Sequence, residues 1–212
     1  LNEGELNEGE GYMRRNFYWI CLFGITLFIL ASFKQSYGYK LNGVKWASGS
    51  YDYYINSTGV DDGKDYSGYT NVIVNGASEW SSVGTTNVAL NYMGTTSNKN
   101  WNESLPLDYQ NTVTWKTNGW SGSVIGISVY WYSGGMIVDS DIKLNTAFAS
   151  DSRLPNLITH EVGHSLGIGH TREAGESYTT DEYNAIMYWQ LHSQTGLNQQ
   201  DKCAITAIYP SG

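Results

Sequence analysis

The sequence predicts an α+β domain, and three observations carry that reading. Patterned segments run mostly strands first and helices last, with a single early helix, instead of in the regular alternation of a doubly wound sheet. Charged residues make up only 15% of the chain while Gly and Tyr number 24 and 17, a mixture suited to strands and turns. Two segments near the C-terminus, 157–171 and 197–210, carry helical spacing and helix-stop residues instead. A hydrophobic content of 41% over 212 residues supports one domain with a substantial core and excludes a disordered chain. The net charge of −8 provides no basic face for phosphates, so nucleic acid is not an expected partner.

Taken in order, residues 1–12, "LNEGELNEGEGY", repeat an acidic pentapeptide without hydrophobic periodicity. They are expected to be a disordered extension or untranslated, because Glu-Gly-Glu codons can spell a ribosome-binding sequence just upstream of Met13. From Met13 the pattern is that of a signal peptide over 13–38: Arg14 and Arg15, an uncharged apolar run from Trp19 to Phe33, and a small-residue site at Ser36-Tyr37-Gly38. The protein is therefore expected to be secreted, touching the membrane only through this segment. A retained membrane anchor is the rival, though the run is short for a full span. Cys21 lies in that run without the small-residue context of a lipoprotein cysteine. Its removal leaves Cys203 alone, so no internal disulfide is expected. Cys203 falls in an apolar helical pattern and reads as a buried thiol.

Residues 39–212 form the expected functional domain, without repeats or long linkers. "SYDYYINSTG" (50–59) alternates like a strand and ends in turn residues. "YTNVIVNGASEWSSV" (69–83) fits a helix with Val72, Val74, Ala77 and Trp80 as its apolar positions. "NVALNYMG" (87–94) reads as a strand and 95–111 as a polar loop. "TVTWKTN", "SVIGISVYWYSG" and "MIVDSDIKLN" read as further strands. The segment around 157–166 reads as a helix stopping near Gly167. "LNQQDKCAITAIYP" reads as a terminal helix with Cys203, Ala204, Ala207 and Ile208 on one face and Pro210 after it.

Three of the four histidines fall within "HEVGHSLGIGH", at His160, His164 and His170. On a helix, His160 and His164 at i, i+4 share one face and can chelate one cation. Glu161 points about 100° around the helix, beside the metal, where a carboxylate can take a proton from a metal-bound water. His170 lies too far along for a straight helix. Gly167 can adopt positive φ, end the helix and swing the chain back, bringing His170 in as a third ligand. Three imidazoles leave a fourth position for water, as in catalytic zinc sites, and not the closed shell of structural zinc.

With these residues the chain resembles the metzincin zinc endopeptidases, whose signature is HExxHxxGxxH followed by a methionine turn. "NAIMYW" supplies Met187, which the resemblance makes an apolar floor beneath the metal. The closest likeness is to the matrixins, the matrix metalloproteinase family: "AIMY" resembles their "ALMYP", and "LNQQDKCAITAIYP" their terminal helix. Together with "YDYYI", "ASEWSSV" and "DSDIKLNTAF", the likeness spans nearly all of 46–210. It implies a twisted, mostly parallel sheet with one antiparallel edge strand, an active-site helix and a C-terminal helix. It also implies one catalytic Zn2+ and hydrolysis of internal peptide bonds in protein or peptide substrates. An extended substrate would pair with a sheet edge in "VIGISVYWY", although a buried central strand fits those residues equally well. A monomer is expected.

The departures are specific. No "PRCGxPD" segment precedes the catalytic region, so cysteine-switch latency is not expected. Only His192 is left for a second, structural zinc; that site is expected to be absent and His192 to be solvent-exposed. Trp189 replaces the usual proline, and also the tyrosine that astacins place there. The stretch from His170 to Met187, with Glu173, Glu176, Asp181 and Glu182, is longer than in the matrixins, so pocket preference does not carry over. Ca2+ is a second candidate ion, since Asp139, Asp141 and the acidic loops offer oxygen ligands, without a pattern that assigns them. Asp201 either pairs with a new N-terminal ammonium, as the resemblance suggests, or interacts with the helix macrodipole. The competing function is a non-catalytic, zinc-stabilised binding module, which would not need Glu161; a membrane-tethered protease is a third.

Overall fold

The structure, a computed structural model, describes residues 38–99, 107–194 and 196–212. The extension and the apolar segment read as a signal peptide lie outside the described residues. Among the described residues, no helix is long and apolar enough to cross a membrane.

Chain order gives β1 (Lys40–Leu41), β2 (Lys45–Trp46), β3 (Ser50–Asn56), α1 (Thr70–Ser78), β4 (Ala89–Thr95), β5 (Thr112–Lys116), β6 (Gly126–Ser133), β7 (Met136–Asn145), α2 (Leu154–Ser165), β8 (Ile168–Gly169), α3 (Thr180–Tyr183) and α4 (Gln199–Ile208). The result is a mixed α/β domain with a mostly parallel sheet. β4, β3, β5 and β7 lie side by side and parallel, and β2 adds to the start of β7. β6 runs antiparallel along the other side of β7 and is an edge strand.

Side-chain alternation explains the layers. Tyr51, Tyr53 and Ile55 of β3 point into the core while Asp52 between them is exposed. β5 and β7 are buried on both faces, as central parallel strands are. α1 and α2 cross closely at Gly76, where a Cβ would stand 2.9 Å from the Pro155 carbonyl oxygen and 3.0 Å from Ile158 Cγ2. Thr159 donates its hydroxyl to the Gly76 carbonyl at 2.9 Å, and Trp80 Nε1 donates to the Thr159 carbonyl at 2.8 Å. These bonds fix the depth of α2 over the sheet.

Two helix faces differ from the sequence expectation. α1 buries Ile73, Gly76 and Ala77, with Trp80 just beyond it; Val72 and Val74 are only half-buried. The residues at i, i+4 and i+7 win because the close contact with α2 requires Gly76 on the buried face. α4 buries Asp201, Ala204, Ile205 and Ile208, whereas Ala207 is exposed and Cys203 half-buried. The buried stripe is turned towards Asp201 because that carboxylate is tied to another part of the chain. Cys203 is thus not a core thiol; its sulfur accepts from Gln199 Nε2 at 3.2 Å.

Candidate metal centre

α2 starts with Pro at its first turn and buries Leu154, Leu157, Ile158 and Val162 along one stripe. His160 and His164 emerge together from the adjoining face. The helix closes at Leu166, and Gly167 takes φ +92°, donating its N–H to the His164 carbonyl at 2.9 Å. The chain then returns as β8, which pairs with β1 through Leu41↔Ile168 and Lys40↔Gly169. His170 follows directly and is delivered to the other two.

The three imidazoles converge. His164 Nε2 lies 3.1 Å from His160 Nε2 and 3.2 Å from His170 Nε2. His160 Nδ1 bonds the Ile186 carbonyl at 2.7 Å and His164 Nδ1 the Ile168 carbonyl at 2.8 Å. A carbonyl only accepts, so those Nδ1 atoms carry the protons and the Nε2 lone pairs face inwards. Lone pairs crowded in this way need a shared cation. A tetrahedral zinc with Zn–N of about 2.0–2.1 Å would set its nitrogens about 3.3–3.4 Å apart, within a few tenths of an ångström of the spacing here. Burial lowers the pKa of His160 to about 4 and that of His164 well below its ordinary value, so both rings are neutral and ready to coordinate. The three histidines can therefore hold a metal ion, and the donor set fits zinc.

Among the described residues this trio is the only group of three or more His, Cys, Asp or Glu close enough to share an ion. The calcium expectation gains no such cluster: Asp139 Oδ2 accepts from the Asp108 and Tyr109 N–H groups at 3.1 Å each, and Asp141 Oδ1 from Thr112 N at 2.9 Å. His192 is outside the trio and, against the expectation of a solvent-exposed ring, is half-buried. Its ring stacks on Tyr183 at 4.1 Å between centroids and its Nε2 bonds the Tyr183 carbonyl at 2.6 Å.

Glu161 is buried beside the trio and opens onto a cleft of about 850 Å³. Phe148, Leu157, Trp189 and Leu191 wall that cleft, and residues 122–128, which lead into and begin edge strand β6, form one rim. Gly126 lies so close that a Cβ there would stand 2.6 Å from Glu161 Oε1. Burial pushes the Glu161 carboxyl up to about 8, opposed by the backbone N–H of Ser128. A cation bound beside it would draw the carboxyl back towards its ionised form, which can take a proton.

Met187 is fully buried beneath α2, and a Cβ on Gly163 would collide with its sulfur and with Trp80. The turn carrying Met187 is held from behind by Asp201. Its Oδ2 accepts from Ile186 N and Asn198 N at 2.9 Å each, and its Oδ1 from Met187 N at 3.1 Å. Since the Ile186 carbonyl also receives His160 Nδ1, Asp201 is one step removed from the metal ligands. Neither sequence reading of Asp201 anticipated this reach to residues 186–187. Asp201→Asn substitutes an NH2 donor for one acceptor and leaves a buried N–H unpaired, so a loss of about 1–3 kcal/mol is expected. Denaturant midpoints at constant slope measure it.

Sequence reasoning also missed Gly126 and Gly163, which make room for the site, and the pairing of β1 with β8; it placed Trp80 on an apolar helix face but not against Gly163. The loop acids are engaged: Glu182 pairs with Arg172 at 2.7 Å, Glu176 with Lys40 at 3.1 Å, and Glu173 with His170 at 3.1 Å. No family model matches the chain, and no curated protein matches it.

Proposed function

We propose that this chain is a secreted, monomeric zinc endopeptidase of the metzincin type, similar to the matrixins, that hydrolyses internal peptide bonds of extracellular proteins. The observation that supports it most is the convergence of three Nε2 atoms next to a buried carboxylate in an open cleft. Zinc, when bound there, supplies Lewis acidity towards a peptide carbonyl and lowers the pKa of water. His160, His164 and His170 would hold the ion through their Nε2 atoms. Glu161 takes a proton from water as the water oxygen adds to the scissile carbonyl carbon, and delivers that proton to the leaving amine nitrogen as the C–N bond breaks. The free edge of β6 offers backbone N–H and C=O groups to an extended substrate, aligning the scissile bond over the site. Gly126 keeps that edge within reach of Glu161 because no side chain intervenes.

The direct test is digestion of casein by the secreted protein. Cleavage is expected to stop with a chelator and to return with zinc, with about one zinc per chain by metal analysis. Zinc uptake without digestion would support the binding-module alternative, and digestion by metal-free protein would overturn the mechanism. Metal removal is also expected to lower the melting temperature by about 5–10 °C, as loss of a ligand held well above its Kd removes a few kcal/mol.

A further inference from the structure

The two helical ligands and the third are held differently. His160 and His164 direct Nδ1 to backbone carbonyls that belong to ordered turns, those of Ile186 and Ile168. His170 stands beyond the helix. Its backbone is fixed on both sides, by Gly169 pairing with Lys40 and by Thr171 N donating to the Met187 carbonyl at 2.8 Å. Those bonds place the Cα but leave the ring free to turn. The ring is met at Nδ1 by a side chain, Glu173 Oε2, at 3.1 Å.

Glu173 is itself held in a tight turn. Glu176 N donates to the Glu173 carbonyl at 3.1 Å, and Glu173 N donates to Glu176 Oε2 at 2.8 Å. Glu176 in turn meets Lys40 of β1 at 3.1 Å. The chain from β1 to the third imidazole is thus continuous: Lys40, Glu176, Glu173, His170. The Lys40–Glu176 pair is exposed and contributes little by itself. The Glu173–His170 contact is different in kind: Glu173 is itself exposed, but its partner is a ring whose proton position and orientation matter to a metal.

We infer that Glu173 is a positioning residue for the third metal ligand: its side-chain oxygen holds His170 Nδ1–H and presents Nε2 to the ion. This rests on the metal-binding reading of the trio. A carboxylate behind a coordinating imidazole raises its basicity and fixes its tautomer, and losing such a partner weakens metal binding about 10–100-fold.

The experiment is competition between the full protein and a chromophoric chelator for zinc, with Glu173→Ala, Glu173→Gln and Glu176→Ala beside wild type. Glu173→Ala is expected to weaken zinc binding about 10–100-fold. Glu173→Gln keeps an oxygen acceptor like the carbonyls serving the other two ligands, and should recover most of the loss, to within about threefold of wild type. Glu176→Ala loosens the turn but leaves the carboxylate, and should also stay within about threefold. Histidine side-chain NMR of metal-free protein adds a readout independent of zinc: His170 is expected to be protonated at Nδ1 in wild type and to lose that preference in Glu173→Ala. Equal affinity for wild type and Glu173→Ala, or an equal loss in Glu176→Ala, overturns the inference and leaves the metal centre standing. Failure of wild type itself to take up zinc overturns the metal reading and the inference with it.

Discussion

Replacing Glu161 by Gln is expected to reduce casein digestion by about 100- to 10,000-fold while zinc affinity changes little. The separation follows from where the carboxylate stands. Glu161 adjoins His160 in sequence, so its side chain leaves the helix at a different angle and is not among the converging nitrogens. Its carboxylate sits against Gly126 and near the Ser128 N–H, in the cleft an extended chain would occupy. Gln fills the same volume and keeps an oxygen for the Ser128 N–H, so neither folding nor the ligands should suffer. What it cannot do is accept and return a proton. Initial rates of casein cleavage, with zinc content measured on the same samples, test this. Activity within tenfold of wild type would remove Glu161 from the mechanism; unchanged zinc with lost activity is the outcome a passive zinc module would not show.

How much of this was legible in the sequence depends on the range of the interaction. The metal helix was readable because its rules are local: i, i+4 spacing puts His160 and His164 on one face, and a glycine at 167 permits the turn back to His170. Faces were less secure. α1 offered several β-branched residues, and only the close crossing at Gly76 selects Ile73 and Ala77 over Val72 and Val74. Cys203 counts as apolar in any pattern, yet the burial of Asp201 turns the helix away from it. The mostly parallel character of the sheet came from likeness to matrixins, and the strand order was not read at all, since alternation within a strand does not say which strand lies beside it. Least legible were contacts between distant segments: a two-residue strand at Lys40–Leu41 bracing Ile168–Gly169, or Asp201 reaching the turn at Met187. Nothing in either partner's own neighbourhood encodes them.

That bracing makes Gly167 a sensitive backbone position. Gly167→Ala is expected to destabilise the fold by about 3–4 kcal/mol and to weaken zinc binding on the order of 100-fold. Two causes act together. The residue has φ +92°, where an L side chain is strained by about 1 kcal/mol. A Cβ there would also run into the Val44 carbonyl oxygen, which is backbone and not the end of a flexible side chain. Val44 has little freedom to retreat, because Asn42 N donates to the Gly167 carbonyl at 2.9 Å and β2 follows at Lys45. Relief must come from opening β1 away from β8, which moves the chain that delivers His170. Gly63→Ala is the control, since Gly63 has φ +66° but nothing within 4 Å of its would-be Cβ and lies outside the metal site. It should cost only the conformational part, about 1 kcal/mol, and leave zinc affinity unchanged. Denaturant midpoints and chelator competition on both variants separate strain from collision. If the two substitutions cost the same, the contact between Gly167 and the Val44 carbonyl does not hold the third ligand in place.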